Sequence, residues 1–488
     1  MARDLLPRWM SGHALSMNFA SLQFGCFLIL LLAANALLRR HEHRNTLMLV
    51  ASYYFYACWD PRFLLLIWTV TGVSFLAGRL IGATDDARRR KRVLVAYAIF
   101  SLTVLGIFKY LDFFIDSTRT ALTILGLPVD VRMLGILLPA GISFFTFESL
   151  SYIIEIYQRH LPATTRLKHY ALFIGFFPKL VAGPIERPAV LIPQIEQPRQ
   201  LTLEGFTRGL FLILLGLFKK IVVADGLAPT VASVFNTSTT PSAPDIVLAV
   251  YAFALQIYCD FSGYTDIARG TAKLLGFDFA LNFRRPYFAR NPSDFWQRWH
   301  ISLSGWLRDY LYIPLGGNKG SPARTLRNLF LTMLLGGLWH GASWTFVLWG
   351  AYHGLLLVVH RLLKPVLSKI RPASAFGAAL WAIARCFVVF HLVVLGWLPF
   401  RARTLSEVQN VLLGIAERGG DLASAPATAK WLLACCSLLF LLELAEEWRS
   451  GFLQRTQFWA RGLVYAAVLA SILIAGAPGG QTFLYFQF

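Results

Sequence analysis

Apolar residues in this chain gather into long runs, and the connections between them are short and basic. A membrane-crossing helix needs about 20 mostly apolar residues to traverse roughly 30 Å of hydrocarbon. Runs approaching that length cover residues 20–38, 46–59, 63–82, 93–111, 133–156, 206–224, 245–260, 343–360, 378–400, 430–445 and 462–478. They predict an all-α polytopic membrane protein with roughly 10 to 13 crossings. LLRRHEHR, and not a small-residue cleavage site, follows the first run, which marks a retained helix. The pattern divides the chain into an N-terminal extension (1–18), N-terminal transmembrane helices (19–168), a core (169–360) and C-terminal transmembrane helices (361–488).

The core departs from the simple pattern. FFPKLVAGPIERP, residues 176–188, places three prolines and Gly183 beside Lys179, Glu186 and Arg187, a composition that breaks helices. Broken backbone at membrane depth is tolerated where protein buries it or where it lines a wet cavity, so re-entrant and interfacial helices around a cavity are expected here. In NPSDFWQRWHISLSGWLRDYLYIP, residues 291–314, Asn291 or Ser293 could cap one helix that Pro314 ends. Trp296, Trp299 and Trp306, beside Arg298, Arg308 and Asp309, suggest that this helix lies along the interface. The stretch 418–429 reads as a solvent-exposed loop.

Composition supports lipid as the solvent. Hydrophobic residues make up 56% and charged residues 15%, against about 25% charged in soluble domains. The net charge of +20 sits in the connections: Arg39, Arg40 and Arg44, then Arg88, Arg89, Arg90, Lys91 and Arg92, then Arg159, Arg166 and Lys168. These follow the first, third and fifth runs, which places those turns in the cytoplasm and suits contact with anionic lipid. No basic domain stands apart, so nucleic acid is not an expected partner. Six cysteines without a CxxC pair read as small buried hydrophobes.

Of ten histidines, His340 stands out, in LLGGLWHGASWTFVLWG. Gly336, Gly337, Gly341, Ala342 and Ser343 allow close backbone approach and a bend at the histidine. An ionisable residue in an apolar run is a functional-site hypothesis by default, and a neutral imidazole suits removal of a proton from a hydroxyl attacking an acyl carbonyl. His300 is a second candidate at a cavity or only an interfacial ring, and His353 is less specific. His13, His41, His43, His160 and His169 read as solvated or headgroup-facing. No HExxH or compact ligand spacing occurs, so no metal is expected. GxSxG, GxxxxGK[ST] and GxGxxG are likewise missing, which disfavours a serine acyl-enzyme and nucleotide-driven transport. Asp260 and Asp266 need partners, which Arg269, Arg284, Arg285 or Arg298 could supply. Together with Lys179, Glu186, Arg187, Arg308 and Asp309 they form either a structural ion network or a substrate-holding one.

FFPKLVAGPIERP, the long stretch from Gln256 to Asn318, GGLWHGASWTFVLWGAYHG at 336–354 and the terminal FLYFQF at 483–488 occur in an order that resembles the membrane-bound O-acyltransferases. Within that family the chain is similar to the bacterial branch of alginate O-acetyltransferases and D-alanyl transfer proteins. The resemblance implies a ring of helices around a thinned centre in the bacterial cytoplasmic (inner) membrane. His340 matches the family's essential histidine, and His300 matches a supporting catalytic position. The implied reaction moves an acetyl group from a cytoplasmic thioester such as acetyl-CoA, with no bound cofactor, towards an exported alginate-like polysaccharide. A periplasmic acetyltransferase or another acetyl-accepting partner would complete it. Cellulose, another exopolysaccharide or peptidoglycan fit the same motifs. D-alanyl transfer to a teichoic-acid-like acceptor, and a flippase or export subunit without bond chemistry, are the competing expectations.

Overall fold

The computed structural model describes residues 17–127, 132–236, 241–370, 372–417, 427–449, 451–477 and 483–484, with backbone only at 427–435 and 453–454. Most of the 1–18 extension, much of the 418–429 loop and all but the first two residues of FLYFQF lie outside them. The described residues are helical, without strands. Among the described residues six helices are long and apolar enough to cross a membrane: Phe63–Gly82, Ala87–Ile124, Ala243–Leu274, Trp344–Leu367, Ala375–Arg401 and Phe458–Ala475. Leu22–Leu37 is apolar but shorter. The chain is an all-α, multi-pass membrane protein.

Two compact units are present. The first comprises Met1–Phe108, Gly135–Leu210 and Ala268–Phe279. At its centre the helix Ile142–Tyr157 packs on Phe63–Gly82 and Ala87–Leu105. Gly78 makes this possible, because a Cβ there would lie 2.6 Å from the Tyr152 ring. Arg90 ties helix ends together, donating to the carbonyls of Ile81 at 2.9 Å and of Ile156 and Tyr157 at 2.8 Å. Those carbonyls end helices and have no intrahelical donor. The three basic connections meet: Arg159 pairs with Asp85 at 2.8 Å, and Arg166 and Lys168 pair with Glu42. They therefore share one end of the unit, as turns on a common side of the membrane must.

The second unit comprises Lys109–Leu134, Phe211–Ile267 and Ala280–Phe488. Its hairpin of Pro322–His340 and Trp344–Leu367 closes tightly because a Cβ on Gly337 would sit 2.3 Å from the Phe346 carbonyl oxygen, and one on Gly350 2.5 Å from that of Met333. The bend expected at His340 is there: Pro322–His340 ends on it and Gly341 continues extended, at φ −157°.

The segment 291–314 is not one interfacial helix. It breaks into Pro292–Trp296, Ile301–Leu307 and a wider π-helical turn, Arg308–Tyr312. Asn291 does cap the first piece, its Oδ1 accepting from the Asp294 amide at 2.8 Å. The break falls where backbone elsewhere competes for the chain. The Arg284 amide donates to the Arg298 carbonyl at 2.8 Å, and the Ile301 amide to the Asn282 carbonyl at 2.9 Å. Trp299 and Trp306 are buried, so their rings pack a core and do not coat an interface.

Candidate active site

His340 is the last residue of its helix and only 5% exposed. Its ring is bounded by Trp349 at 4.9 Å, Trp339 at 5.1 Å and Phe400 at 5.4 Å between centroids. The His300 ring lies 6.2 Å away. Forty positions apart in sequence, the two imidazoles are brought together by the broken segment around His300 and the end of the glycine-rich helix.

His300 is fully buried and holds φ 43°, ψ 54°, a left-handed conformation that costs an L-residue roughly 1–2 kcal/mol. Asn282 pins it there. The Asn282 Oδ1 accepts from the Ser302 amide at 3.2 Å and the Ser302 hydroxyl at 3.0 Å, and it lies 3.2 Å from His300 Nδ1. A backbone amide can only donate, so this atom is the acceptor and Nδ1 carries the proton. In the neutral ring Nε2 then holds a lone pair, and that nitrogen is buried without a hydrogen-bond partner among the described residues. The ring itself rests edge-on against Phe261 at 4.7 Å.

A profile described as "MBOAT, membrane-bound O-acyltransferase family" matches residues 143–398, a span containing both histidines. The chain is 45% identical to the "Probable alginate O-acetylase AlgI" of Azotobacter vinelandii over 367 residues, 75% of this chain and 71% of the relative. With the protein of the same description from Pseudomonas putida it shares 39% over 473 residues, 92% and 95% of the two chains. A peptidoglycan O-acetyltransferase of Helicobacter pylori is 34% identical over 400 residues, 76% and 74% of the chains.

The chain belongs to the membrane-bound O-acyltransferase family. It is an AlgI-like, multi-pass O-acyltransferase of the inner membrane, and such enzymes draw on an acyl-thioester donor.

The remaining polar residues singled out in this acyltransferase fall into separate groups. In the first unit Lys179 is completely buried and ion-paired to Glu148 of Ile142–Tyr157. The Glu186 amide also donates to Glu148, at 3.2 Å, and Arg187 begins the next helix as its N-cap. In the second unit Asp266 pairs with Lys219 and Asp260 with Lys220, both at 2.7 Å. Lysines, which sequence proximity did not suggest, are thus ion-pair partners of both carboxylates. Both lysines come from the π-helical stretch Phe218–Ala224. Gly216 and Gly263 let the backbones close in, a Cβ on Gly216 lying 2.5 Å from the Gly263 carbonyl oxygen. Asp260 also accepts from the Leu484 amide at 2.8 Å.

Arg298 bridges Asp294 at 2.8 Å and Glu447 at 3.0 Å, and Arg285 joins Glu447 at 2.8 Å. These pairs brace the segment carrying His300. Arg308 and Asp309 pair with each other at 2.7 Å, with Arg308 turned largely to the outside. His353 is buried against Trp349 at 4.8 Å and Trp296 at 5.1 Å, beside the histidine pair's aromatic wall. His169, expected to be solvated, is buried and bonded to Glu42 at 3.1 Å, and His41 bonds the Ile195 carbonyl at 2.8 Å. Among the described residues no group of three or more His, Cys, Asp or Glu side chains could hold a metal ion.

A cavity of about 880 Å³ in the second unit is lined mainly by aromatic and aliphatic side chains, with Glu443 and Glu447 among them. Two of its lining rings, Tyr258 and Tyr287, pack on Trp299, the neighbour of His300.

Sequence reasoning passed over Asn282, Glu148, the Lys219–Lys220 pair and Lys109. The lysines carried a usable signal, because an ammonium inside or beside an apolar run demands a partner. Asn282 carried none, since its importance lies in which atoms surround it.

Proposed function

We propose that this acyltransferase moves an acetyl group from acetyl-CoA, or a similar cytoplasmic thioester, across the membrane for O-acetylation of an exported, alginate-like polysaccharide. His340 is the general base. It takes the proton from the acceptor hydroxyl as that oxygen attacks the thioester carbonyl. The C–S bond then breaks, and the imidazolium returns the proton to the departing thiolate. His300 supports the site with its second, lone-pair-bearing imidazole. The acetyl group leaves the outer side on a periplasmic acetyltransferase or another accepting partner.

The observation carrying this reading is the buried imidazole pair, 6.2 Å apart, in a chain whose relatives are described as alginate O-acetylases. Exclusion of water around the pair favours acyl transfer over hydrolysis of the donor. The test is transfer of labelled acetyl from acetyl-CoA supplied on the cytoplasmic side of membranes containing the protein and its polysaccharide system. His340→Ala should abolish transfer while the protein remains inserted. Wild-type transfer by correctly inserted mutant protein would end the general-base assignment.

A further inference from the structure

The helix bearing His340 ends in an unusual way. An α-helix leaves its last four carbonyls without intrahelical donors, and a glycine in the left-handed conformation commonly turns the chain so that later amides return to them. Gly341 does not do this. It is extended, and a Cβ there would lie 2.1 Å from the Phe346 ring.

The carbonyls are met from another part of the chain. Tyr110 donates its hydroxyl to the Leu338 carbonyl at 2.9 Å, and Lys109 Nζ donates to the Trp339 carbonyl at 2.5 Å and the His340 carbonyl at 3.2 Å. The same ammonium lies 5.6 Å from the centroid of the Trp339 ring. Lys109 and Tyr110 belong to a π-helical turn, Gly106–Tyr110, in the long helical segment Ala87–Ile124. Wider turns of this kind are frequent at functional sites.

The following turns hold the other arm of the bend. Phe113 packs on Trp344 at 5.6 Å between centroids, and Ser117 Oγ accepts from Trp344 Nε1 at 3.1 Å. Trp344 opens the outgoing helix. Positions 110, 113 and 117 follow helical spacing, so one face clasps both sides of the turn that presents His340.

We infer that Lys109 is a positioning residue for acyl transfer: its ammonium anchors the backbone of Trp339 and His340 and so sets where the His340 imidazole stands. This inference rests on His340 being the base. It adds that the base's placement depends on a cation some 230 positions earlier in the chain. A positioning residue acts through the backbone it holds, so loss of this ammonium should slow the chemical step and leave donor binding alone. Misplacing a reacting group by an ångström can lower a rate on the order of 100-fold.

The experiment compares the full-length wild type, Lys109→Met, Lys109→Arg and Tyr110→Phe in the labelled-acetyl assay, with protein amounts and melting in detergent measured alongside. Lys109→Met should lower kcat at least about tenfold with KM for acetyl-CoA within about twofold of wild type, and Lys109→Arg, which keeps charge and donors, should recover most of the loss. Wild-type kcat in Lys109→Met, or no recovery in Lys109→Arg, would overturn the inference. Should Lys109→Met fail to accumulate, Tyr110→Phe decides: reduced kcat in normally melting protein supports positioning by this turn, and wild-type kcat refutes it. His340→Ala run in parallel separates the failures. An inactive His340→Ala with a fully active Lys109→Met sinks only the positioning role, whereas an active His340→Ala sinks the base assignment itself.

Discussion

Asn282 holds His300 in a single tautomer: its Oδ1 faces Nδ1 at 3.2 Å while also accepting from the amide and hydroxyl of Ser302. One side-chain oxygen thus fixes a ring that sits in a strained backbone conformation next to the His340 imidazole.

Replacing Asn282 with Leu removes the acceptor that faces the His300 Nδ1–H and the Ser302 amide and hydroxyl. The cost should be about 1–3 kcal/mol of stability. Acetyl transfer should fall further than melting does, because the freed His300 ring can rotate or change tautomer. Melting in detergent and the labelled-acetyl assay on the same preparation check this. Equal transfer per folded molecule in variant and wild type would count against a supporting role for His300.

Lys179 and Glu148 form an ion pair sealed from solvent on both sides. Removing one partner strands the other charge, which typically costs about 3–5 kcal/mol. Lys179→Met should therefore cut the amount of inserted protein and lower its melting temperature. The double change Lys179→Met with Glu148→Leu should recover much of both. If the single variant accumulates and melts normally but loses transfer, Lys179 acts on substrate and not on the fold.

Gly337 faces backbone at 2.3 Å from where its Cβ would be, so the neighbour cannot yield as a flexible side chain would. Gly337→Ala should force the hairpin apart at a cost of roughly 1–3 kcal/mol and displace the turn at His340. Loss of both stability and transfer is expected. Gly25, with nothing within 4 Å of a Cβ, supplies the control, and Gly25→Ala should leave both unchanged.

Glu42 gathers the basic connections through Lys168, Arg166 and His169. The Lys168 ammonium, and after it His169, hold the Glu42 carboxyl down to about 2, against the opposing effect of burial. A carboxyl lowered on folding stabilises the folded state above its unfolded pKa, near 4.3. That contribution is lost as the pH falls from there towards 2. Melting in detergent between pH 6 and pH 3 should show a decline that Glu42→Gln makes shallower. Glu42 is partly exposed, so salt should weaken the effect. Parallel wild-type and variant curves would show that these pairs contribute nothing.

Much of the architecture could be read before any coordinates. Runs such as 63–82 and 378–400 emerged as the helices Phe63–Gly82 and Ala375–Arg401, because crossing lipid demands length and apolarity that are visible residue by residue. The bend at His340 was legible from flanking glycines for the same local reason. The single helix drawn through 291–314 failed, because backbone pairing with Asn282 and Arg284 outweighs a helical pattern there. The lysine partners of Asp260 and Asp266 were not legible either. Arg285 and Arg298 lie near Asp260 and Asp266 in sequence, yet Lys219 and Lys220 reach the carboxylates because Gly216 and Gly263 let two helices touch.

By itself the sequence determined that this protein lives in lipid, and that His340 and His300 belong to an acyltransferase pattern. Those properties depend on composition, period and local motif. Only the tertiary structure decided that the two imidazoles stand 6.2 Å apart, that Asn282 sets the tautomer of one, and that Lys109 anchors the backbone of the other. Contacts between distant segments depend on how packed helices bring particular atoms within bonding distance, and no local pattern encodes that.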